Sequence, residues 1–170
     1  FFFHPHAGIP DPLWSRGLGD VYKRQDSVSV CLSKGLGTPL GTVLVGSSKF
    51  IRKARRNRKI LGGSMRQVGI VAAAGHYALD NNISRLVEDH NRAEFFANEL
   101  REMNIGHVDS GTNMVFFTPK DGQADNLRLH LEKYGVKIGD QHPSIRMVLH
   151  RDVSDEGLDK AIAGFKSFYQ

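Results

Sequence analysis

The residues with the greatest chemical potential stand together between Ser33 and Gly41. Lys34 follows the β-branched alternation Ser27-Val28-Ser29-Val30 and is succeeded by Gly35, Gly37 and Gly41, with the hydroxyls of Ser33 and Thr38 on either side. A lysine amine can add to a carbonyl and form an imine, provided that it is held in place and that neighbouring positive charge or desolvation keeps some of it neutral. Glycines allow the backbone to turn sharply and to approach a flat ring closely, and the hydroxyls offer hydrogen bonds. The order of residues matches neither the phosphate loop, whose glycines precede a Gly-Lys-Ser/Thr ending, nor the Gly-x-Gly-x-x-Gly of dinucleotide sites. On residue types alone, a lysine beside glycines is more often a solvated turn residue, so both readings stand at this point.

The charge around this lysine is unusual. Between Asp26 and Asp80 there are nine Lys or Arg residues and no acid, whereas from Asp80 onward acids outnumber bases 15 to 11. Such asymmetry marks either a site for an anionic cofactor or a nucleic-acid surface. The basic stretch from Lys49 to Arg66 could contact phosphates, but it has no interleaved aromatic platform and no nucleic-acid motif. The eight histidines show no His-Glu-x-x-His spacing, and no metal site is predicted. Cys31 is the only cysteine, which rules out a disulfide within the chain and points to a reducing compartment. Cys31 itself reads as a small buried apolar residue of a strand rather than a nucleophile. Arg146, between apolar neighbours, reads on its own as a strand-end charge reaching solvent. The spacing of Phe95, Phe96, Leu100 and Met103 is that of a core stripe.

These residues need elements to position them. With 40% hydrophobic and 24% charged residues, 170 residues suffice for one ordinary domain or two small ones, and no apolar run approaches the roughly 20 residues of a membrane helix. Residues 1–25 differ from the rest and show no sustained period; they read as a non-native leader and are set aside. From Asp26 a short strand runs to about Ser33, a second covers Thr42 to Val45, and Ser47 or Ser48 caps a basic helix toward Ile60 that Gly62-Gly63 ends. A helix is predicted over Met65 to Leu79, then a long amphipathic one over Ile83 to Met103 that could connect two domains. Strands are predicted at Asn113 to Thr118 and Ile145 to Leu149. Helices are predicted over Gln123 to Tyr134 and from the cap Ser154 to Tyr169, giving an α/β layer with helices on one sheet face.

The segment Ser33-Lys34-Gly35-Leu36-Gly37-Thr38-Pro39, with Gly41, resembles the lysine segment of low-specificity threonine aldolases. Arg58-Lys59-Ile60-Leu61-Gly62-Gly63-Ser64-Met65-Arg66-Gln67, Ala72-Ala73-Ala74-Gly75, Thr112-Asn113-Met114 and Ile145-Arg146-Met147-Val148 follow in the family's order. The resemblance covers about residues 27 to 170 and corresponds to the carboxyl-terminal half of the family. It implies an α/β fold of the aspartate aminotransferase type, fold type I, with residues 26–103 as the end of the large pyridoxal-phosphate-binding domain and its connecting helix, and 104–170 as the small domain. It implies a lyase that cleaves L-threonine or L-allo-threonine to glycine and acetaldehyde using pyridoxal 5'-phosphate, in threonine catabolism and glycine synthesis. By matching position, Lys34 would bind the cofactor and act catalytically, with Ser33, Lys59 and Arg66 near the cofactor and Arg146 holding the substrate carboxylate. The family further implies a cytoplasmic homotetramer with no nucleic-acid or membrane partner, and activity that needs the half not matched here. Another fold-type-I lyase acting on β-hydroxy or β-substituted amino acids is the alternative enzyme reading, and a basic nucleic-acid-binding module the alternative of another class.

Overall fold

The computed structural model describes residues 25–120, 122–139 and 144–170, which form two compact units divided between Asn82 and Ile83. The leader expected over residues 1–25 lies, apart from Gln25, outside the described residues.

In the first unit, β1 (Ser27–Cys31) pairs antiparallel with β2 (Thr42–Gly46), in a register that sets Ser27 opposite Gly46 and Cys31 opposite Thr42. Helix α1 (Ser48–Ile60) begins where Ser47 accepts a hydrogen bond from the Phe50 N–H at 3.3 Å, satisfying one of the free donors of the first turn. It ends in a Schellman closure: Gly62 N–H donates to the Lys59 carbonyl at 3.2 Å and Gly63 N–H to the Arg58 carbonyl at 2.8 Å, with Gly62 at φ 78°. Helix α2 (Gly69–Asn81) starts four residues later than the apolar spacing predicts, because Gln67 takes a left-handed conformation, φ 52°, that an α-helix does not admit. Cys31 is half-exposed rather than buried, since the described residues put no closed core around the two-stranded ribbon.

The second unit holds the main core. Helix α3 (Leu86–Glu102) is followed by β3 (Gly106–Gly111), β4 (Met114–Pro119), α4 (Ala124–Glu132), β5 (Ile145–Val148) and α5 (Asp155–Tyr169). The strands form an antiparallel sheet in the order β3-β4-β5. Strand β3 was not foreseen: only Val108 of its side chains is buried, so an edge strand forms without the alternation that announces one. On the inner face of the sheet, Val115, Phe117, Ile145 and Met147 meet α3 through Ala93, Phe96, Ala97 and Leu100, and α5 through Leu158, Ala161, Ile162 and Phe165. Both helices present the i, i+3, i+4, i+7 spacing of a single buried stripe. The Phe165 ring stands edge-on to Phe96 and Phe117, with centroids 5.9 and 5.4 Å away, an arrangement that favours aromatic contact. Ser154 caps α5, accepting from Gly157 N–H at 3.1 Å, and Asp155 and Glu156 occupy its positive first turn.

Candidate functional site

Between β1 and β2 the chain makes a ten-residue loop whose base is closed by backbone hydrogen bonds, from Leu32 N–H to Gly41 carbonyl at 3.0 Å and from Thr38 N–H to Leu32 carbonyl at 3.2 Å. Gly37 N–H donates to the Lys34 carbonyl at 2.8 Å and folds the crest into a tight turn; Gly37 at φ 73° and Gly41 at φ 129° occupy backbone conformations that side chains resist. Thr38, buried at 6% exposure, donates its hydroxyl to the Leu40 carbonyl at 3.1 Å. Buried Leu32 points to α2, where it meets Gly75. From the far end of α2 the buried Asn82 donates its side-chain amide to the Leu36 carbonyl at 2.7 Å.

This frame leaves Ser33 and Lys34 exposed, and Lys34 has no ion-pair or hydrogen-bond partner for its amine among the described residues. The Ser33 hydroxyl lies 3.4 Å from the Cys31 sulfur. Hydrogen bonding from Ser33 draws the Cys31 thiol below its ordinary pKa, and the Lys34 charge adds to the effect by favouring the thiolate. Sequence reasoning missed both the Cys31–Ser33 contact and the Asn82 tether. The first could have been seen in the Cys-Leu-Ser-Lys order, whereas the second joins residues 46 apart and left no local signal.

Lys59 lies in the last turn of α1 with Arg58, where cations suit the negative helix end, and Arg66 in the turn that precedes α2. Both are exposed, and neither pairs with an acid among the described residues. Thus Ser33, Lys34, Lys59 and Arg66 belong to one strongly cationic unit.

Arg146 belongs to the second unit. It sits on β5 opposite Phe116 and points away from the core, alternating with buried Ile145 and Met147. The end of β5 is fixed by Asn113, whose side-chain amide donates to the Leu149 carbonyl and whose own carbonyl accepts from Leu149 N–H, both at 2.8 Å. Arg146 lines a hollow of about 300 Å³ with Lys137, Gly139, Val148, Val153 and Leu158. Lys137 and Arg146 are both exposed beside this mostly apolar hollow, and a planar guanidinium can pair with a carboxylate through two hydrogen bonds.

An exposed, unpaired amine on a loop fixed at its base, flanked by a hydroxyl and set in the basic stretch of residues 27–79 that contains no acid, is chemically suited to a flat aldehyde that carries a phosphate. Among the described residues, no group of three or more His, Cys, Asp or Glu side chains could hold a metal ion, and no helix is long and apolar enough to cross a membrane.

The model of the β-eliminating lyase family matches residues 16–121. The chain is 44% identical over 151 residues to the low specificity L-threonine aldolase of Escherichia coli K12, covering 89% of this chain and 45% of that one. It is 41% identical over 155 residues to low-specificity L-threonine aldolase 1 of Arabidopsis thaliana, covering 86% and 43%. The chain therefore spans about half the length of these relatives. Among solved structures it superposes on the serine palmitoyltransferase of Sphingomonas wittichii with a TM-score of 0.63 at 19% identity, over 87% of this chain and 40% of that one, which shows a shared fold.

Proposed function

The chain belongs to the β-eliminating lyase family and has the fold of the fold-type-I pyridoxal-phosphate enzymes, and from that premise we propose that it is part of an aldolase that cleaves L-threonine or L-allo-threonine to glycine and acetaldehyde. The observation that carries this reading is Lys34 itself, an unpaired exposed amine on a loop fixed by five backbone and side-chain hydrogen bonds, within the stretch matched to the β-eliminating lyase family.

In this reading Lys34 would hold pyridoxal 5'-phosphate through its amine nitrogen and would leave as a free amine when the substrate amine takes its place on the cofactor. The cofactor, when bound, supplies an electron sink for the pair released as the Cα–Cβ bond breaks. Ser33 stands beside the attachment point as a hydrogen-bond group, and the cations Lys59 and Arg66 favour the bound phosphate. Arg146 takes the substrate carboxylate, for which its planar fork is suited. We assign residues 26–103 to the end of the large domain and 104–170 to the small domain. A homotetramer is in keeping with the apolar side chains exposed on the first unit, and a cytoplasmic setting with the lone free thiol. The activity belongs to a polypeptide of the relatives' length.

Purifying such a polypeptide with its cofactor should give a visible absorbance that Lys34→Ala abolishes, and borohydride reduction should place the label on the peptide containing Lys34. A label on another lysine would overturn the assignment. An assay for acetaldehyde separates threonine cleavage from a lyase acting on other β-substituted amino acids.

A further inference from the structure

We propose that Asn82 is a positioning residue for Lys34, acting through the carbonyl of Leu36; the role rests on reading Lys34 as the cofactor lysine. The base of the loop is held by backbone hydrogen bonds at Leu32, Thr38 and Gly41, which do not reach the crest. The crest, Lys34 to Gly37, has its own internal turn and includes two glycines, so its peptide planes are free to reorient unless something outside the loop fixes them. Among the described residues, one side chain does so. Asn82 Nδ2 donates to Leu36 O at 2.7 Å, and Asn82 is 9% exposed, so water does not readily replace this bond.

The anchor is itself rigid. Asn82 is the C-cap of α2, and its backbone N–H donates to the Ala78 carbonyl at 2.9 Å, so the amide group is presented from a fixed helix end. On the same helix Gly75 receives the Leu32 side chain. Helix α2 thus grips the loop at two places, one before Lys34 through Leu32 and one after it through Leu36. Lys34 lies between the two grips, and the direction of its side chain follows from both. Deleting the amide donor leaves the first grip intact and frees the crest alone.

The test compares the wild-type chain with Asn82→Leu, which keeps size and removes the donor without adding charge, and with Asn82→Gln, which keeps an amide donor. Hydrogen exchange is measured by mass spectrometry on peptides spanning residues 33–41. Lysine reactivity is measured by brief exposure to low pyridoxal phosphate and borohydride, followed by peptide mapping, with the Lys34 label expressed relative to Lys49 and Lys53. In Asn82→Leu, amides at residues 35–38 should exchange at least about tenfold faster while helix α3 is unchanged, as expected if this local opening loses a buried hydrogen bond. The preference for Lys34 should fall severalfold, and Asn82→Gln should recover most of it. Loop exchange in Asn82→Leu equal to that of the wild type would overturn the tether, as would a general loss of protection across both units, which marks a merely structural role. A wild-type chain with no preference for Lys34 would sink the cofactor reading, and the positioning role with it, whatever the exchange data show.

Discussion

The methyl Cδ1 of Leu32 sits 3.1 Å from where a β-carbon on Gly75 would lie, so the strand end that leads into Lys34 is seated directly on helix α2. A glycine inside a helix costs about 1 kcal/mol relative to alanine, and its presence here is explained by this contact. Gly75→Val would add branched bulk against Leu32, which is 6% exposed and has little room to move. Overpacking of this kind costs about 1–3 kcal/mol. The expected result is a lower urea midpoint and faster hydrogen exchange in the Lys34 loop. A midpoint equal to that of the wild type would show that Leu32 can rotate away freely.

The thiol of Cys31 gives a second prediction. Its pKa is lowered chiefly by Ser33 and further by the Lys34 charge, so the thiolate survives to lower pH than in a free cysteine. Alkylation by iodoacetamide, which needs the thiolate, should reach half its plateau rate below the pH typical of cysteine. The rate should fall as pH drops through that lowered value. Ser33→Ala removes the hydroxyl, and the midpoint should move upward toward the ordinary value. An unmoved midpoint would assign the shift to the backbone and to charge alone.

A third prediction concerns Arg146 in the cofactor-loaded polypeptide. Lysine at this position keeps a positive charge but loses the planar fork that pairs with a carboxylate through two bonds. Losing one such charged hydrogen bond is worth about 1.5–3 kcal/mol, so kcat/KM for threonine should fall roughly 10- to 100-fold. The visible absorbance of the bound cofactor should not change. An unaltered kcat/KM would return Arg146 to the role of a solvent-facing strand residue, which its exposed place opposite Phe116 also permits.

The elements that could be read from the sequence are those with local causes. Ser47 and Ser154 announce their helices because a cap acts within three residues, and Gly62-Gly63 announces a stop because the Schellman closure needs a left-handed residue there. Strand β3 was hidden because Gly106-His107-Val108-Asp109-Ser110-Gly111 contributes one buried side chain and owes its form to pairing with β4. The delayed start of α2 was hidden because nothing in Met65-Arg66-Gln67 signals a left-handed residue. At the site, Lys34 stood out through its glycines. Its supports did not, because Asn82 and Gly75 lie far along the chain, and Asn113 fixes the Arg146 strand across 36 residues.

The last prediction follows from the contrast between the two units. The clustered core runs from Ala93 to Phe165, whereas among residues 25–82 the buried hydrophobic side chains are Leu32 and Ala78. The same stretch exposes Leu44, Phe50, Leu61, Val68 and Ile70, with Leu61 at 84% and Ile70 at 78%. Between β2 and α1 there is also a hollow of about 590 Å³, lined by Val43, Val45, Ile51 and Ala54 among others. The outer edges of the β1–β2 ribbon have no further strand among the described residues, and unpaired edges beside apolar side chains favour association. The 170-residue chain, expressed alone, should therefore self-associate in a concentration-dependent way. Sedimentation velocity should show species larger than a monomer at micromolar concentration. Replacing Leu61 and Ile70 by serine should shift the distribution toward monomer, and helix content should hold because both side chains are mainly in solvent. Addition of about 1 M salt separates the causes: apolar association persists or strengthens, whereas pairing of the acid-free basic helix with an acidic surface weakens as its charges are screened. A monomer at all concentrations would mean that the exposed side chains of the first unit are satisfied in water, and the association argument would fail.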